Sequence, residues 1–513
     1  MSPIYQQFKQ VAFEAPSKLA LCDGELQLTF AAILEKVDAV AKNILNLCNG
    51  SRPRVTLITP DQVDNVCVSL AVAKVGGCCI PMNAHMLPAQ LQAACVAVDT
   101  NLVIAQQPLL DKLVLKDGIG GVTCSDIYIN DLKACHRDYD ELISDWLKED
   151  DYLITLSSGS TGKPKPIMIS QQVKLQRAMQ TWHLYQLDSS DVMLCASPFF
   201  HSLGQRLVFV PLLLGASLIH LSAFRPSHWL ELVEQYKISF VIAVSSHLYA
   251  LKHKLLSNAA ALNSLHTVVT SSAPIDAEFK SKVFSAIGCD FHEIYGATEI
   301  AVATNLAPKD ATEKYKTVGI ACDDIELKIL ATNMQPVEQG QTGQIAVRSP
   351  LAFSGYYGQS QLTTQAIDEG YFLTGDIGAL DSDGFLTYVG RQKDIIISGG
   401  INIYPKDIET ALLTDSQLNE VAVIGVEDSL LGEVIVAICV TENKANIEAK
   451  LRKVANKTLA PFQRPLKYFF PPLLPLTPTG KVSKLLLRKQ YGKLNDGWTD
   501  MLRVMLYGEI ADE

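Results

Sequence analysis

The run Ser157-Ser158-Gly159-Ser160-Thr161-Gly162-Lys163-Pro164-Lys165 sets hydroxyls, glycines and two lysines side by side. Small residues let backbone N–H groups close around a phosphate, hydroxyls add donors, and ammonium groups add charge. The same composition also suits a surface loop between strands. A Walker-type phosphate loop does not fit, because Ser157 stands where its first glycine belongs and Pro164 follows Lys163 where a metal-binding Ser or Thr is required. Further along, Tyr295-Gly296-Ala297-Thr298-Glu299 joins an aromatic face, a hydroxyl and a hard carboxylate oxygen, parts that stack on a purine and hold Mg2+. In isolation those five residues are an ordinary turn.

Taken together and in order, the motifs of the chain resemble the adenylate-forming superfamily of acyl-CoA synthetases, peptide-synthetase adenylation domains and firefly-type luciferases. The resemblance covers nearly the whole sequence. It implies that Ser157 to Gly162, with Lys163 and Lys165, close on the β- and γ-phosphates of ATP. His201, in Pro198-Phe199-Phe200-His201-Ser202-Leu203-Gly204, takes a gating position between nucleotide and acid pockets. Ser272-Ala273-Pro274 resembles the loop beside the adenine, and Tyr295, Gly296 and Ala297 continue that wall. By the same resemblance Thr298 lies near the α-phosphate and Glu299 is the Mg2+ ligand. Asp376 of Thr374-Gly375-Asp376 accepts from the ribose hydroxyls, a pairing that suits a carboxylate and a vicinal diol. Arg391 contacts ribose or phosphate, Lys393 sits at an interdomain hinge, and Gly399-Gly400 face a thiol tunnel where a pantetheine arm passes close to the backbone. Pro475-Leu476-Thr477-Pro478-Thr479-Gly480-Lys481 matches the C-terminal pattern whose lysine serves adenylation.

The implied reaction has two halves. Mg-ATP and a carboxylate give acyl-AMP and pyrophosphate, then a thiol takes the acyl group and releases AMP. No nucleophilic side chain is needed, so positioning and electrostatics carry the catalysis, with the Lys481 ammonium meeting charge that builds on the phosphoryl oxygens. The resemblance implies a rotation of the C-terminal domain that exchanges Lys481 for the Gly399–Gly400 face. The segment Phe199-Phe200-His201-Ser202 lacks the Asp that holds an α-ammonium in amino-acid-activating relatives, which disfavours an ordinary amino acid. Val244, Ser245, Ser271, Tyr295, Gly296 and Ala297 suit an aromatic or medium-chain acyl group. Arg206, a charge inside an apolar run, reads as solvent-facing or paired with a carboxylate, with contact to a polar substituent of the acid as the alternative. The acceptor expected is coenzyme A. A carrier-protein phosphopantetheine competes with it, and an amine, as in an amide synthetase, is a further alternative. The intact motif residues speak against a non-catalytic binding paralogue, whereas a luciferase-like monooxygenase shares them. The tail from Tyr491 to Glu513 carries Trp498, Met501, Leu502, Val504 and Met505, which suit a short amphipathic helix that packs on its own domain or docks a carrier protein.

Elements must hold these motifs in place. Phe30 to Leu47 has apolar residues at helical spacing with Thr29 as N-cap, and Gln62 to Lys74 reads as a helix ending before Gly76 and Gly77. Short apolar runs at Val55–Thr59, Tyr152–Leu156, Ile167–Ile169, Leu218–Leu221, Phe240–Val244 and Thr267–Thr270 read as strands. The alternation implies an α/β protein with parallel sheets covered by helices. From about Lys316, strands at Ile325–Leu330, Gly343–Val347 and Phe385–Tyr388 mark a β-rich subdomain, and the chain turns β–loop–α again after Arg391. Combined with the resemblance, this gives an N-terminal core over 1–390 that binds ATP and acid, a hinge at 391–393 and a small mobile α+β domain over 394–513. The 513 residues exceed one ordinary core, and 48% hydrophobic with 19% charged residues permits a large interior. A net charge of −10 argues against general nucleic-acid binding. Twelve scattered cysteines without a C-x-x-C pair argue against a zinc ribbon. The longest apolar stretch, Leu207 to Leu221, is interrupted by Pro211 and His220 and too short to span a bilayer. The start MSPIYQQFKQ lacks the apolar run of a secretory signal, and a cytoplasmic enzyme is expected.

Overall fold

Asp61 opens the helix Gln62–Lys74 by accepting from the N–H groups of Val63 at 2.7 Å and Asp64 at 3.2 Å, and every helix residue except Lys74 is buried. A helix covered all round belongs inside an α/β core. The computed structural model describes residues 2–129, 139–157, 164–257, 262–271, 275, 277–286, 288–398, 401–415, 417–428, 431–442, 446–477 and 482–492. They divide into two compact units, Met1–Leu327 with Val347–Phe372, and Lys328–Ala346 with Leu373–Glu513.

The first unit holds two sheets. The larger runs, in spatial order, Ile320–Ala321, Ala301–Leu306, Asp290–Ala297, Thr267–Ser271, Phe240–Val244, Val192–Cys195, Ser217–His220, Leu19–Asp23 and Leu26–Thr29. Val192–Cys195, Ser217–His220, Phe240–Val244, Thr267–Ser271 and Asp290–Ala297 are mutually parallel along that order. A strand covered on both faces needs an unbroken apolar run, and Phe240-Val241-Ile242-Ala243-Val244 supplies one. Val241 and Ala243 pack with Trp229, Val233, Leu251 and Phe279 in one core cluster. The second sheet runs Gly355–Tyr356, Lys165–Ile169, Leu153–Ser157, Cys78–Pro81, Arg54–Ile58, Leu102–Ala105 and Gly120–Thr123. Its strands are parallel except Lys165–Ile169, which is antiparallel to both of its neighbours.

In the second unit, Glu420–Asp428 and Gly432–Val440 form a long antiparallel pair, with Ile396–Ser398 and Lys467–Phe469 beside it. Alternate residues serve opposite faces. Val423, Ile435, Ala437 and Cys439 pack against Ile408, Leu412, Leu451 and Ala455 of the helices Pro405–Leu412 and Ile447–Thr458. Ala422, Ile424, Val436 and Ile438 pack against Leu487 and Tyr491 of the helix Lys484–Tyr491.

The α/β class and the strands expected from the sequence are present, with ends shifted by up to three residues. One expectation needs correcting. Arg206 lies on the helix Ser202–Leu214, is half-buried, and directs its Nε to the Thr181 hydroxyl at 3.0 Å. It therefore faces the helix Gln171–Tyr185 rather than solvent or a carboxylate. The apolar stretch around it resolves into that helix, a left-handed Gly215 and the strand Ser217–His220. Among the described residues no helix is long and apolar enough to cross a membrane.

Candidate active site

In a parallel sheet the carboxyl ends of the strands point one way, and connecting loops gather there. Four candidate segments follow such ends. Val192–Cys195 leads to the Pro198–Gly204 segment, Phe240–Val244 to Ser245, Thr267–Ser271 to the adenine-loop candidate, and Asp290–Ala297 to Thr298 and Glu299. Val244 lies opposite Ser271 in register, and the buried Ser245 hydroxyl donates to the Ser271 carbonyl at 3.4 Å. Tyr295, two residues past the last registered pair Thr270–Glu293 of the next strand, is buried.

The Tyr295–Glu299 segment is a tight hairpin with Ala301–Leu306. Its register slips between Tyr295 and Gly296, and Ala301 sits at φ +62°. A side chain at Gly296 would collide with the carbonyl oxygen of Ala301, so only glycine fits this bulge. The hairpin thus delivers Thr298 and Glu299 from a strained turn. Thr298 donates its hydroxyl to Ser202 Oγ at 3.1 Å, at the first residue of the helix that His201 caps. His201 lies half-buried against the Phe200 ring, with centroids 4.2 Å apart. Gly204 is required there because a Cβ would meet the Pro198 carbonyl oxygen.

The same helix reaches the strand entering the phosphate-loop candidate. Thr155 and Gln205 exchange hydrogen bonds of 3.1 and 3.2 Å in the buried interior. Lys165 begins the strand that leaves the candidate loop, and its ammonium lies 5.2 Å from the centroid of the Tyr356 ring. The Tyr356 hydroxyl donates to Glu299 Oε1 at 2.9 Å. A closed circuit results: the strand entering the loop touches the His201 helix, that helix touches Thr298, Glu299 returns through Tyr356 to Lys165, and the strand of Lys165 pairs with the entering strand. Residues far apart in sequence surround one corner of the first unit.

Arg177 braces that corner and was not legible beforehand. Its guanidinium donates to the carbonyls of Thr298 at 2.9 Å, Glu299 at 3.2 Å, and Leu351 at 2.9 and 2.6 Å. Burial pushes its pKa down, the Glu299 carboxylate opposes that shift, and nearby Arg206 adds to it. Lys174, on the same helix, is likewise held far below the usual ammonium range by burial, then by Arg177 and Arg206. Its ammonium lies 4.9 Å over the Phe209 ring. One cation in a polar helix gives no sequence signal when its acceptors are backbone carbonyls on distant segments.

Asp376 and Arg391 belong to the second unit. They face each other across paired strands, and Arg391 Nε meets Asp376 Oδ1 at 2.7 Å. Asp376 is 3% exposed, and its N–H donates to Thr374 Oγ1. Lys393 is exposed within the short turn Gln392–Asp394. Ser158, Gly159, Ser160, Thr161, Gly162, Lys163, Ser272, Ala273, Pro274, Gly399, Gly400 and Lys481 lie outside the described residues, as does the tail from residue 493.

The donor set suits Mg2+. Among the described residues no three His, Cys, Asp or Glu side chains cluster as ligands. A divalent ion at Glu299 would take its other oxygens from phosphates and water, the usual arrangement for Mg2+ and ill suited to a full protein cage.

The family model for the AMP-binding enzyme matches residues 8–357, and that for the AMP-binding enzyme C-terminal domain matches residues 407–481. The chain belongs to the AMP-binding enzyme family. It is 29% identical over 483 residues to a feruloyl-CoA synthase of Amycolatopsis, covering 93% of this chain and 97% of that one. It is 27% identical over 481 residues to an indoleacetate–CoA ligase of Aromatoleum aromaticum, covering 91% and 94%. The fold is that of ATP-bound MatB from Rhodopseudomonas palustris, with a TM-score of 0.84 over 96% of this chain and 99% of that one at 24% identity. Membership agrees with the order of motifs, and the phosphate-loop candidate, His201, Thr298 and Glu299 all fall within the larger family match.

Proposed function

We propose that this AMP-binding enzyme activates a carboxylic acid with Mg-ATP as acyl-AMP and transfers the acyl group to the thiol of coenzyme A. The circuit joining the Thr155 and Lys165 strands, Ser202, Thr298, Glu299 and Tyr356 carries the reading. It brings the strands that flank the phosphate-loop candidate, the helix that begins after His201, a hydroxyl and one hard carboxylate to a common corner. Those are the parts that an in-line attack of carboxylate on an α-phosphorus needs.

In this reading Glu299 holds Mg2+, which neutralises triphosphate charge, while the 157–165 loop cradles the β- and γ-phosphates. Thr298 orients the α-phosphate, and Asp376 accepts from the ribose hydroxyls once Arg391 turns to nucleotide. Lys481 stabilises the charge that develops as pyrophosphate departs. The acid lies beside Val244, Ser245, Ser271 and Ala297. Small and apolar neighbours favour an aromatic or medium-chain acid, and the names of the feruloyl and indoleacetate relatives point the same way. We further propose that 391–393 is a hinge and 394–513 the moving part. The exposed Lys393 turn and the separate family match beginning at residue 407 support it.

The test is a panel of carboxylic acids assayed for ATP-dependent pyrophosphate release, with coenzyme A, a phosphopantetheinyl carrier protein or an amine as acceptor. Thioester formation with coenzyme A is expected for an aromatic or medium-chain acid. Pyrophosphate release followed by transfer only to carrier protein or amine would reassign the acceptor. Absence of release with every acid would remove the reading.

A further inference from the structure

Glu299 has two carboxylate oxygens, and its surroundings treat them differently. Oε1 accepts from the Tyr356 hydroxyl at 2.9 Å, while among the described residues no hydrogen bond is made to Oε2. The backbone of Glu299 is pinned from two sides, its carbonyl accepting from Phe353 N–H at 2.6 Å and from Arg177 Nη2 at 3.2 Å. Only the side-chain torsions remain to be fixed, and the phenol fixes them.

Tyr356 is itself held. It is 3% exposed, pairs with Ile167 in the second sheet, and donates its N–H to Thr363 Oγ1 at 2.9 Å. The Phe353 ring meets it edge-on at 4.9 Å, and Tyr357 N–H donates to the Pro166 carbonyl at 2.9 Å. The Tyr356 ring also receives the Lys165 ammonium at the exit of the phosphate-loop candidate.

We propose that Tyr356 is a positioning residue that commits Oε1 of Glu299 to the protein and leaves Oε2 for the divalent cation of the nucleotide. The proposal rests on the reading of Glu299 as the metal-binding carboxylate. A free glutamate swings between one- and two-oxygen binding and can turn to a lysine, whereas Mg2+ demands one oxygen at a fixed octahedral vertex. Hydrogen-bond partners of ligating groups typically alter metal affinity or activity by roughly 10- to 100-fold. The Lys165 contact also makes Tyr356 the shared neighbour of the phosphate-loop strand and the metal-binding side chain.

The experiment uses the full chain and the pyrophosphate-release assay with Mg2+ titrated at fixed ATP. Tyr356→Phe removes only the hydroxyl. Half-saturating Mg2+ should rise by about fivefold to tenfold and turnover fall by about tenfold, with the KM for the acid changed by less than about twofold. The thermal midpoint reports any general loss of structure. Glu299→Ala and the double variant complete the cycle, and Tyr356→Phe should add no further loss in the Glu299→Ala background. Additive losses, or an unchanged Mg2+ dependence in Tyr356→Phe, would overturn the positioning role while leaving Glu299 as the ligand. Wild-type Mg2+ dependence in Glu299→Ala would bring down both readings.

Discussion

Gly296 decides whether the Tyr295–Glu299 hairpin can form, because the bulge brings the Ala301 carbonyl oxygen onto the place of its missing Cβ. Gly296→Ala should lower Tm by roughly 3–6 °C and cut adenylation by more than about tenfold, since Thr298 and Glu299 would shift together. Wild-type Tm and turnover would show that the hairpin relaxes without cost. Arg177 is the second such residue. Arg177→Met keeps much of the volume but leaves the carbonyls of Thr298, Glu299 and Leu351 without those donors, at a cost of about 2–4 kcal/mol in urea unfolding and with a collapse of turnover. Arg177→Lys should restore only part of both, because one ammonium cannot span three divergent acceptors. An unchanged unfolding midpoint in Arg177→Met would remove the brace. At this scale the sequence exposes residues whose type is itself the signal. A glycine, threonine and glutamate in one short motif announce a site, and Gly296 in particular is explained by the bulge. Arg177 and Tyr356 were hidden, because each acts on a segment distant in the chain and neither type is unusual where it stands. Arg206 misled for the same reason: its partner, the Thr181 hydroxyl, lies on another helix.

The elements were more legible than their arrangement. Gln62–Lys74 was readable with the Gly pair that follows it, while its Asp61 cap emerged only in the structure, and Thr29 caps Phe30–Cys48 through the Ala32 N–H. The strand Phe240–Val244 stands out as five apolar residues between turns. The neighbours of each strand in a nine-stranded order could not be read, because parallel pairing leaves no local mark. The antiparallel turn of Lys165–Ile169 was hidden in the same way. The helix Ser245–Ser257 carries a consequence of this packing. Near its start His247 stacks on Phe224, centroids 3.7 Å apart and planes 3° apart, and burial pushes its pKa from 6.5 down to about 4. The folded pKa is therefore below the unfolded one, and between the two values the unfolded chain holds more protons. Stability should be fully present above pH 6.5 and decline as pH falls toward 4. In His247→Phe, which keeps the stack, unfolding free energy should fall less steeply over that window than in the wild type. Parallel pH curves for the two proteins would show that His247 titrates normally in the fold.

At the scale of the whole molecule, one acyl carbonyl must meet different partners in the two half-reactions. Adenylation needs a cation between carboxylate and phosphate, whereas thiolysis needs an open approach for a pantetheine arm. A fixed lysine would obstruct the second if it served the first, and a swivel resolves the conflict. The part of the second unit that follows the proposed hinge is built to carry the lysine segment as one piece. Leu476 and Val482 pair across it, and Ser483 caps the helix Lys484–Tyr491 that follows. That helix is tied by Arg488 to Asp394 at 3.1 Å and by Lys484 to Glu409 at 2.8 Å. Asp394 directly follows the proposed hinge, so a rotation about 391–393 would move the lysine with the body rather than bend the loop alone. Lys481→Ala should lower acyl-AMP formation by about 100-fold or more, the scale of losing one charge-stabilising donor. Thioester formation from supplied acyl-AMP and coenzyme A should stay within about threefold of wild type, because in the proposed rotation the lysine has left the carbonyl by then. Lys393→Pro fixes φ at the hinge and should uncouple the halves in its own way, sparing one and suppressing the other. Single-turnover assays of each half-reaction distinguish these outcomes. Equal loss of both halves in Lys481→Ala would mean that the lysine serves one static site and that no swivel is required.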